Sequence, residues 1–235
     1  MRLALIADLH GNMTAVEALE RDLKARGIQT IWCLGDLVGK GPSSDKTFDW
    51  ALANCQVVLK GNWDEGVGHM RFANDAFYYA QLGEARLHKL RQLPMEHHVR
   101  LSGRKIRLLH GRPTLPELLY IQGSGEALQA MLAPDFDVVG YADTHRQGLR
   151  VLRGLVFNTG SVGNGMGLNM VQYAILQGDE LNDAAPFDVQ LITTPYDIDR
   201  AVLETQAQPH LPNGDLFIQE IRTGVYANRG NRPGK

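Results

Sequence analysis

Short apolar runs alternate with longer stretches of helical period along the first third of the chain. Leu3 to Ala7 is unbroken and apolar, as a buried strand requires. The spacing then predicts a helix from about Met13 to Arg26, with Val16, Leu19 and Leu23 on one face and Gly27 as its stop. "TIWCLG" gives a second strand, about Lys46 to Ala53 a second helix, and "VVLKG" a short third strand. This βαβαβ opening predicts a layered α/β fold whose strand ends share one edge. "DAFYYAQLGEARLHKLRQLP" predicts one long helix that ends before Pro94.

The second half is richer in strands. "HHVRL" and "KIRLLHG", split by Ser102-Gly103, predict a hairpin. "EALQAMLA" is helical, and "FDVVGY", "RVLRGLVFN", "VQYAILQ" and "FDVQLITT" each predict a strand. A helix from about Asp197 to Gln206 follows. Residues 1–226 are expected to form a single domain, with 194–226 a helical C-terminal extension and 227–235 a flexible tail.

Composition narrows the functional classes. A chain of 235 residues, 44% hydrophobic, can bury a core without staples. A net charge of −2 gives no electrostatic case for nucleic acid or an anionic membrane. No apolar run approaches the roughly 20 residues needed to span a bilayer. The N-terminal run, broken at Asp8, is too short for a signal peptide. Cys33 and Cys55 are the only cysteines; as small packing residues they suit a reducing compartment, and a cytoplasmic location is expected. A homodimer is left open.

Candidate chemistry gathers at the strand ends. Asp8 and His10 follow the first strand, Asp36 the second, and Asn62 and Asp64 the third. His110 ends "IRLLHG", and Asp143 and His145 follow "DVVGY". In an open α/β sheet such ends converge. Asp, His and Asn together suit divalent ions that accept nitrogen and oxygen, such as manganese, iron or zinc, whereas magnesium and calcium prefer oxygen. Along an extended segment, residues two apart point the same way, so each Asp-x-His triplet can aim at one centre. Gly11, Gly35, Gly61 and Gly111 beside these residues suit tight turns.

At these residues the sequence resembles the calcineurin-like metallophosphoesterases, in their small bacterial and archaeal phosphodiesterase branch. "ADLHGN", "LGDLVGKGP", "LKGNWDE", "LLHG", "YADTHRQ" and "NTGSVGNG" match the family's motifs in order. The resemblance implies a four-layer α/β/β/α sandwich with a two-metal site at one edge. It implies that Asp8, His10 and His145 hold the first ion, Asn62 and His110 the second, and that Asp36 bridges them. Gly160 to Val162 are implied to shape the adjacent loop. Two divalent ions are expected, manganese first, with iron, zinc or nickel as alternatives. The implied activity is hydrolysis of a small phosphorylated substrate, a phosphodiester or nucleotide, with the nucleophile generated between the ions near neutral pH. Asp36, Asn62 and Asp64 are the expected catalytic set. A phosphomonoesterase shares this site, and a scaffold that only binds proteins shares the fold.

Two positions depart from the family pattern. Asp143 stands where histidine is usual, and Ala142 replaces the usual glycine. As a ligand to the second ion, Asp143 would leave the centre a formal charge of about +1 instead of about +2. That predicts an oxygen-preferring ion there and an activity optimum moved upward in pH. Trp63 stands where many relatives have a histidine acting as general acid, a loss worth about 10²–10⁴ in rate. Trp63 is expected to stack on a base or aryl group, with Arg146, Lys40 and Asn12 as further substrate-binding candidates. Asp64 is read two ways, orienting a neighbouring ligand or capping a helix that starts at Glu65.

Overall fold

The computed structural model describes residues 1–227. The first sheet has the order β10-β9-β1-β2-β3. Its strands are β1 (Arg2–Ile6), β2 (Thr30–Cys33), β3 (Val57–Val58), β9 (Val171–Gln177) and β10 (Asp188–Thr194). The second has the order β4-β5-β6-β8-β7, built from β4 (Glu96–Leu101), β5 (Arg104–Leu109), β6 (Val138–Tyr141), β7 (Gly148–Val151) and β8 (Leu155–Asn158).

Alternation along β1 shows how the layers stack. Leu3, Leu5 and Ala7 enter a cluster with Ile106, Leu108 and Phe157 of the second sheet. Ala4 and Ile6 enter another with α1 (Met13–Ala25), α2 (Ser44–Asn54) and α4 (Ala76–Gln92). On the far side, Val139, Tyr141 and Val156 pack with Leu128 of α5 (Gly125–Ala130). Apolar residues on both faces of a strand require cover on both. The result is a four-layer sandwich, helices outside and two sheets within.

Direction within the sheets positions the chemistry. β1, β2 and β3 run parallel, as do β5, β6 and β8. The antiparallel strands β10, β9, β4 and β7 lie toward or at the sheet edges. Every candidate ligand therefore follows a parallel strand, at its carboxyl end.

Several elements differ from the sequence expectation. "RVLRGLVFN" is not one strand: β7 and β8 form a hairpin that reverses at Leu152–Gly154. A side chain at Gly154 would meet the Asp137 carbonyl at 2.5 Å, so the turn needs glycine. The long helix α4 is interrupted at Gly83, whose φ of 67° is left-handed. Two short helices were not given bounds by the sequence reading: α3 (Asn62–Gly68), which starts three residues before Glu65, and α7 (Gly214–Thr223), inside the expected helical extension. α7 packs Phe217 and Ile221 on Ala201 and Val202 of α6 (Ile198–Gln206), which leans on α1. Of the expected tail, Ala227 is buried and 228–235 lie outside the described residues. Among the described residues, no helix is long and apolar enough to cross a membrane.

Candidate metal centre

The loops after β1 and β2 are laced together before any side chain acts. Asp8 N–H donates to the Gly35 carbonyl at 2.9 Å, and His10 N–H to that of Asp36 at 3.2 Å. The loop after β8 joins them, with Ser161 Oγ and Gly163 N–H both donating to the Asp8 carbonyl. The two Asp-x-His triplets are not extended, contrary to the sequence reading. Asp8, His10, Asp143 and His145 have φ of 56°, 45°, 65° and 56°, all left-handed, and Asp36 has 55°. Strained conformations of this kind, tolerated best by Asp, Asn and His, persist where the surroundings over-determine them. Convergence of the side chains comes from these turns.

Three imidazoles are aimed by backbone carbonyls. A carbonyl can only accept, so Nδ1 is the protonated nitrogen in each ring. His10 Nδ1 donates to Val38 at 3.1 Å, His110 to Leu34 at 3.0 Å and His145 to Asn164 at 2.8 Å. Each Nε2 therefore turns a lone pair inward, the arrangement a metal-binding histidine needs. His10 Nε2 and His145 Nε2 lie 3.1 Å apart, a distance two lone pairs tolerate only with a cation or proton between them.

The carboxylates complete the cluster. Asp8 Oδ1 lies 3.7, 3.8 and 3.4 Å from Nε2 of His10, His110 and His145. Asp36 Oδ2 is 3.5 Å from His10 and 3.4 Å from His110, placing it between the two halves. Its other oxygen accepts from Trp63 N–H at 2.8 Å. Gly61 is required here, since a Cβ would fall 2.1 Å from Asp36 Oδ1. Both Asp8 oxygens, Asn62 Oδ1 and His110 Nε2 are buried without a well-formed hydrogen bond. Such groups are costly unless an ion satisfies them. Two sets, Asp8–His10–His145 and Asp8–Asp36–His110, each bring their ligand atoms within 4.8 Å of one another. These residues fit divalent ions.

Charge tells the same story. Burial raises the Asp8 carboxyl well above the usual range. Burial depresses His110, but Asp36, Asp8 and Asp143 outweigh it and lift the ring to about 10. Burial, then Lys40 and His10, hold His145 well below its usual value. The surrounding carboxylates thus favour positive charge at His110.

A family model for the calcineurin-like phosphoesterase superfamily domain matches residues 1–180. The chain belongs to that superfamily. An uncharacterized protein of Methanocaldococcus jannaschii is 28% identical over 234 residues, covering 85% of this chain and 89% of its own length. A metallophosphoesterase from Sphaerobacter thermophilus superposes with a TM-score of 0.78 at 23% identity, over 96% of this chain and 100% of that one. A hypothetical protein from Pyrococcus horikoshii gives 0.76 at 20% identity, over 96% and 99%. A Vps29 from Entamoeba histolytica complexed with zinc gives 0.51 at 21% identity, over 82% and 99%. These structural likenesses establish the fold.

Within this metallophosphoesterase, several expected roles change. Asp143 is not placed as a ligand. Arg112 Nε donates to its Oδ2 at 2.8 Å, Arg112 Nη2 to its Oδ1 at 2.7 Å, and the Arg112 backbone N–H to Oδ2 at 3.0 Å. Burial would raise the carboxyl, yet these bonds hold it below its ordinary value. The guanidinium cancels its charge, so the formal sum returns to about +2 and the expected upward shift in pH optimum falls away. The Asp64 carboxylate, expected in the catalytic set, is engaged by backbone donors. Its oxygens accept from the N–H groups of Asp36 at 2.8 Å, Leu37 at 2.9 Å and Gly61 at 2.9 Å. It sits inside the first turn of α3, which begins at Asn62, and positions Asp36.

Two substrate-binding expectations are also corrected. Asn12 caps α1, accepting from Ala15 N–H and donating to the Gly163 carbonyl. Lys40 Nζ lies 3.4 Å from Glu220 of α7 and 5.2 Å over the Tyr226 ring. Trp63 is half-buried beside Gly39, with its ring near perpendicular to that of His10 at 5.8 Å and of Tyr78 at 6.2 Å. Arg146 lines a cleft of about 570 Å³ with Tyr120, Gln122, Gly123 and Tyr226. The Tyr226 ring is 5.6 Å from that of His145, so the cleft adjoins the centre.

Sequence reading missed Arg112, Asn164, Glu220 and Tyr226. Arg112 directly follows "LLHG", and Asn164 lies inside "NTGSVGNG", so both had a local signal. Glu220 and Tyr226 had none, because they reach the site only through the packing of α7.

Proposed function

We propose that this metallophosphoesterase hydrolyses phosphodiester or nucleotide-type phosphate bonds at a centre of two divalent ions, manganese first, with iron, zinc or nickel as alternatives. The observation that carries the reading is the convergence of three carbonyl-pinned imidazoles on the buried carboxylates of Asp8 and Asp36, with both Asp8 oxygens unsatisfied. When bound, such ions supply a water nucleophile near neutral pH and offset phosphoryl charge. Asp8, His10 and His145 would hold the first, Asn62 and His110 the second, with Asp36 between them.

The chain's own residues do the positioning. Val38, Leu34 and Asn164 fix the imidazole tautomers, and Trp63 N–H holds Asp36 so that Oδ2 faces the centre. Asp64 locks the turn that carries Asp36. The indole of Trp63 has no proton to give at neutral pH, which favours leaving groups that need little protonation, such as phosphoanhydrides and activated esters. The cleft beside His145 offers two tyrosine rings and the Arg146 guanidinium, a set suited to an aromatic ring bearing an anionic group.

The test is a manganese-supplemented screen of aryl phosphodiesters, aryl phosphomonoesters, nucleotides and dinucleoside polyphosphates, with metal content measured on the same sample. Turnover of diesters or anhydrides above monoesters supports the proposal. Preference for monoesters replaces it with a phosphomonoesterase. A protein that binds no metal and turns over nothing with added manganese favours a binding scaffold.

A further inference from the structure

Arg112 lies two residues beyond His110, and Asp143 two residues before His145. Their pairing thus bridges two loops that carry ligands. Gly111 lets the loops close: its φ is +139°, and a Cβ there would lie 2.7 Å from the Cβ of Asp143. Asp143 is 5% exposed, whereas the Arg112 side chain is 27% exposed. The carboxylate is sealed in and the guanidinium reaches outward. Its charge also acts on Asp36 and on Tyr226 beside the cleft.

The hydrogen bonds to Asp143 occupy Nε–H and one N–H of Nη2. A guanidinium has five N–H groups in a fixed fork, so three remain for an anion. An arginine held by a bidentate carboxylate has already lost most of its rotamer freedom. Asp143 meanwhile has accepted three bonds, and neither ligand set includes it.

We propose that Arg112, held in place by Asp143, binds a phosphoryl oxygen of the substrate beside the metal centre, and that the second ion is bound more weakly than the first because Asp143 is spent on this task. The family's histidine is thus replaced by two residues with divided labour. The carboxylate aims, and the guanidinium presents its remaining N–H groups to the anion. This rests on the phosphoesterase reading above.

Two titrations on the full chain test it: manganese into metal-free protein, then inorganic orthophosphate into manganese-loaded protein. Wild type should show one tight and one weaker equivalent of manganese. Arg112→Lys keeps the charge but loses the fork, and should weaken orthophosphate about ten- to hundredfold while leaving the first manganese unchanged. Arg112→Met strands a buried carboxylate, so the double variant Arg112→Met/Asp143→Asn, with no buried charge, is measured alongside and should lose orthophosphate to the same degree. Asp143→His should tighten the second manganese and, by releasing Arg112, weaken orthophosphate.

Orthophosphate binding unchanged in Arg112→Lys and in the double variant overturns the proposal. So does an Asp143→Asn variant that loses a manganese equivalent, since Asp143 would then be a ligand. Two manganese equivalents of equal affinity in wild type also overturn it. If wild type binds neither manganese nor orthophosphate and is inert on every ester, the phosphoesterase reading has failed. If wild type is active and only the Arg112 results are flat, that reading stands and this inference alone is lost.

Discussion

Glu220 ties the C-terminal helix to the metal centre through two buried contacts. Its Oε2 accepts from Asn164 Nδ2 at 2.7 Å and lies 3.4 Å from Lys40 Nζ, with Glu220 fully buried and Lys40 5% exposed. Asn164 in turn presents the carbonyl that orients His145. Changing Glu220→Gln removes the carboxylate charge 3.4 Å from the buried Lys40 ammonium. Breaking one side of a buried pair costs about 3–5 kcal/mol. At about 2–4 °C per kcal/mol for a chain of this size, the melting temperature should fall by roughly 6–20 °C. The assay is thermal unfolding of metal-free protein followed by circular dichroism, with manganese titration at a temperature where the variant is folded. Manganese affinity should fall as well, because the Asn164 loop loses its anchor. The double variant Lys40→Met/Glu220→Leu, which removes both charges, should recover most of the stability but not the full affinity, since Asn164 stays untethered. A Glu220→Gln protein melting within about 1 °C of wild type would refute the reasoning, for then the pair contributes nothing that burial predicts.

Three further outcomes follow from the geometry. Asp64→Asn should weaken manganese binding about 10–100-fold by calorimetry without altering any ligand, because it releases the turn that holds Asp36. Metal-free protein should lose stability as pH rises: a His110 raised from 6.5 to about 10 contributes fully below pH 6.5 and is lost as pH climbs through about 10, while the raised Asp8 acts in the same direction. Melting temperatures from pH 6.5 to 10 should fall, and the gain from added manganese should widen over that range, with proton release on binding seen as a buffer-dependent heat. Trp63→His should raise turnover of esters with poor leaving groups relative to activated ones by up to about 10², read as the slope of rate against leaving-group pKa; an unchanged slope would count against the missing general acid.

The position of most strands along the chain and the identity of the first ligands were legible in the sequence because both are local. An apolar run followed by Asp-x-His marks a strand and its polar end, and the 3.6-residue spacing of Val16, Leu19 and Leu23 marks α1 wherever it packs. Asp8, His10, Asp36, Asn62, His110 and His145 each follow a parallel strand, and parallel strands deliver their ends to one edge. What two residues apart meant was less legible. Asp8 and His10 converge through left-handed turns, a conformation set by the lacing of three loops and invisible to a rule about extended chain.

The fate of Asp143 was decided by tertiary structure alone. As a residue type it is a competent ligand, and nothing near it in sequence says otherwise. Arg112, on a different loop, claims both of its oxygens and turns a supposed metal ligand into a support for a guanidinium. Lys40 and Asn12 were likewise diverted, one by a glutamate 180 positions away and the other by the first turn of its own helix. Sequence determines which groups are available and roughly where each strand ends. Folding decides which groups spend their hydrogen bonds on one another and which are left to hold an ion, because that depends on neighbours brought together only by the packed layers.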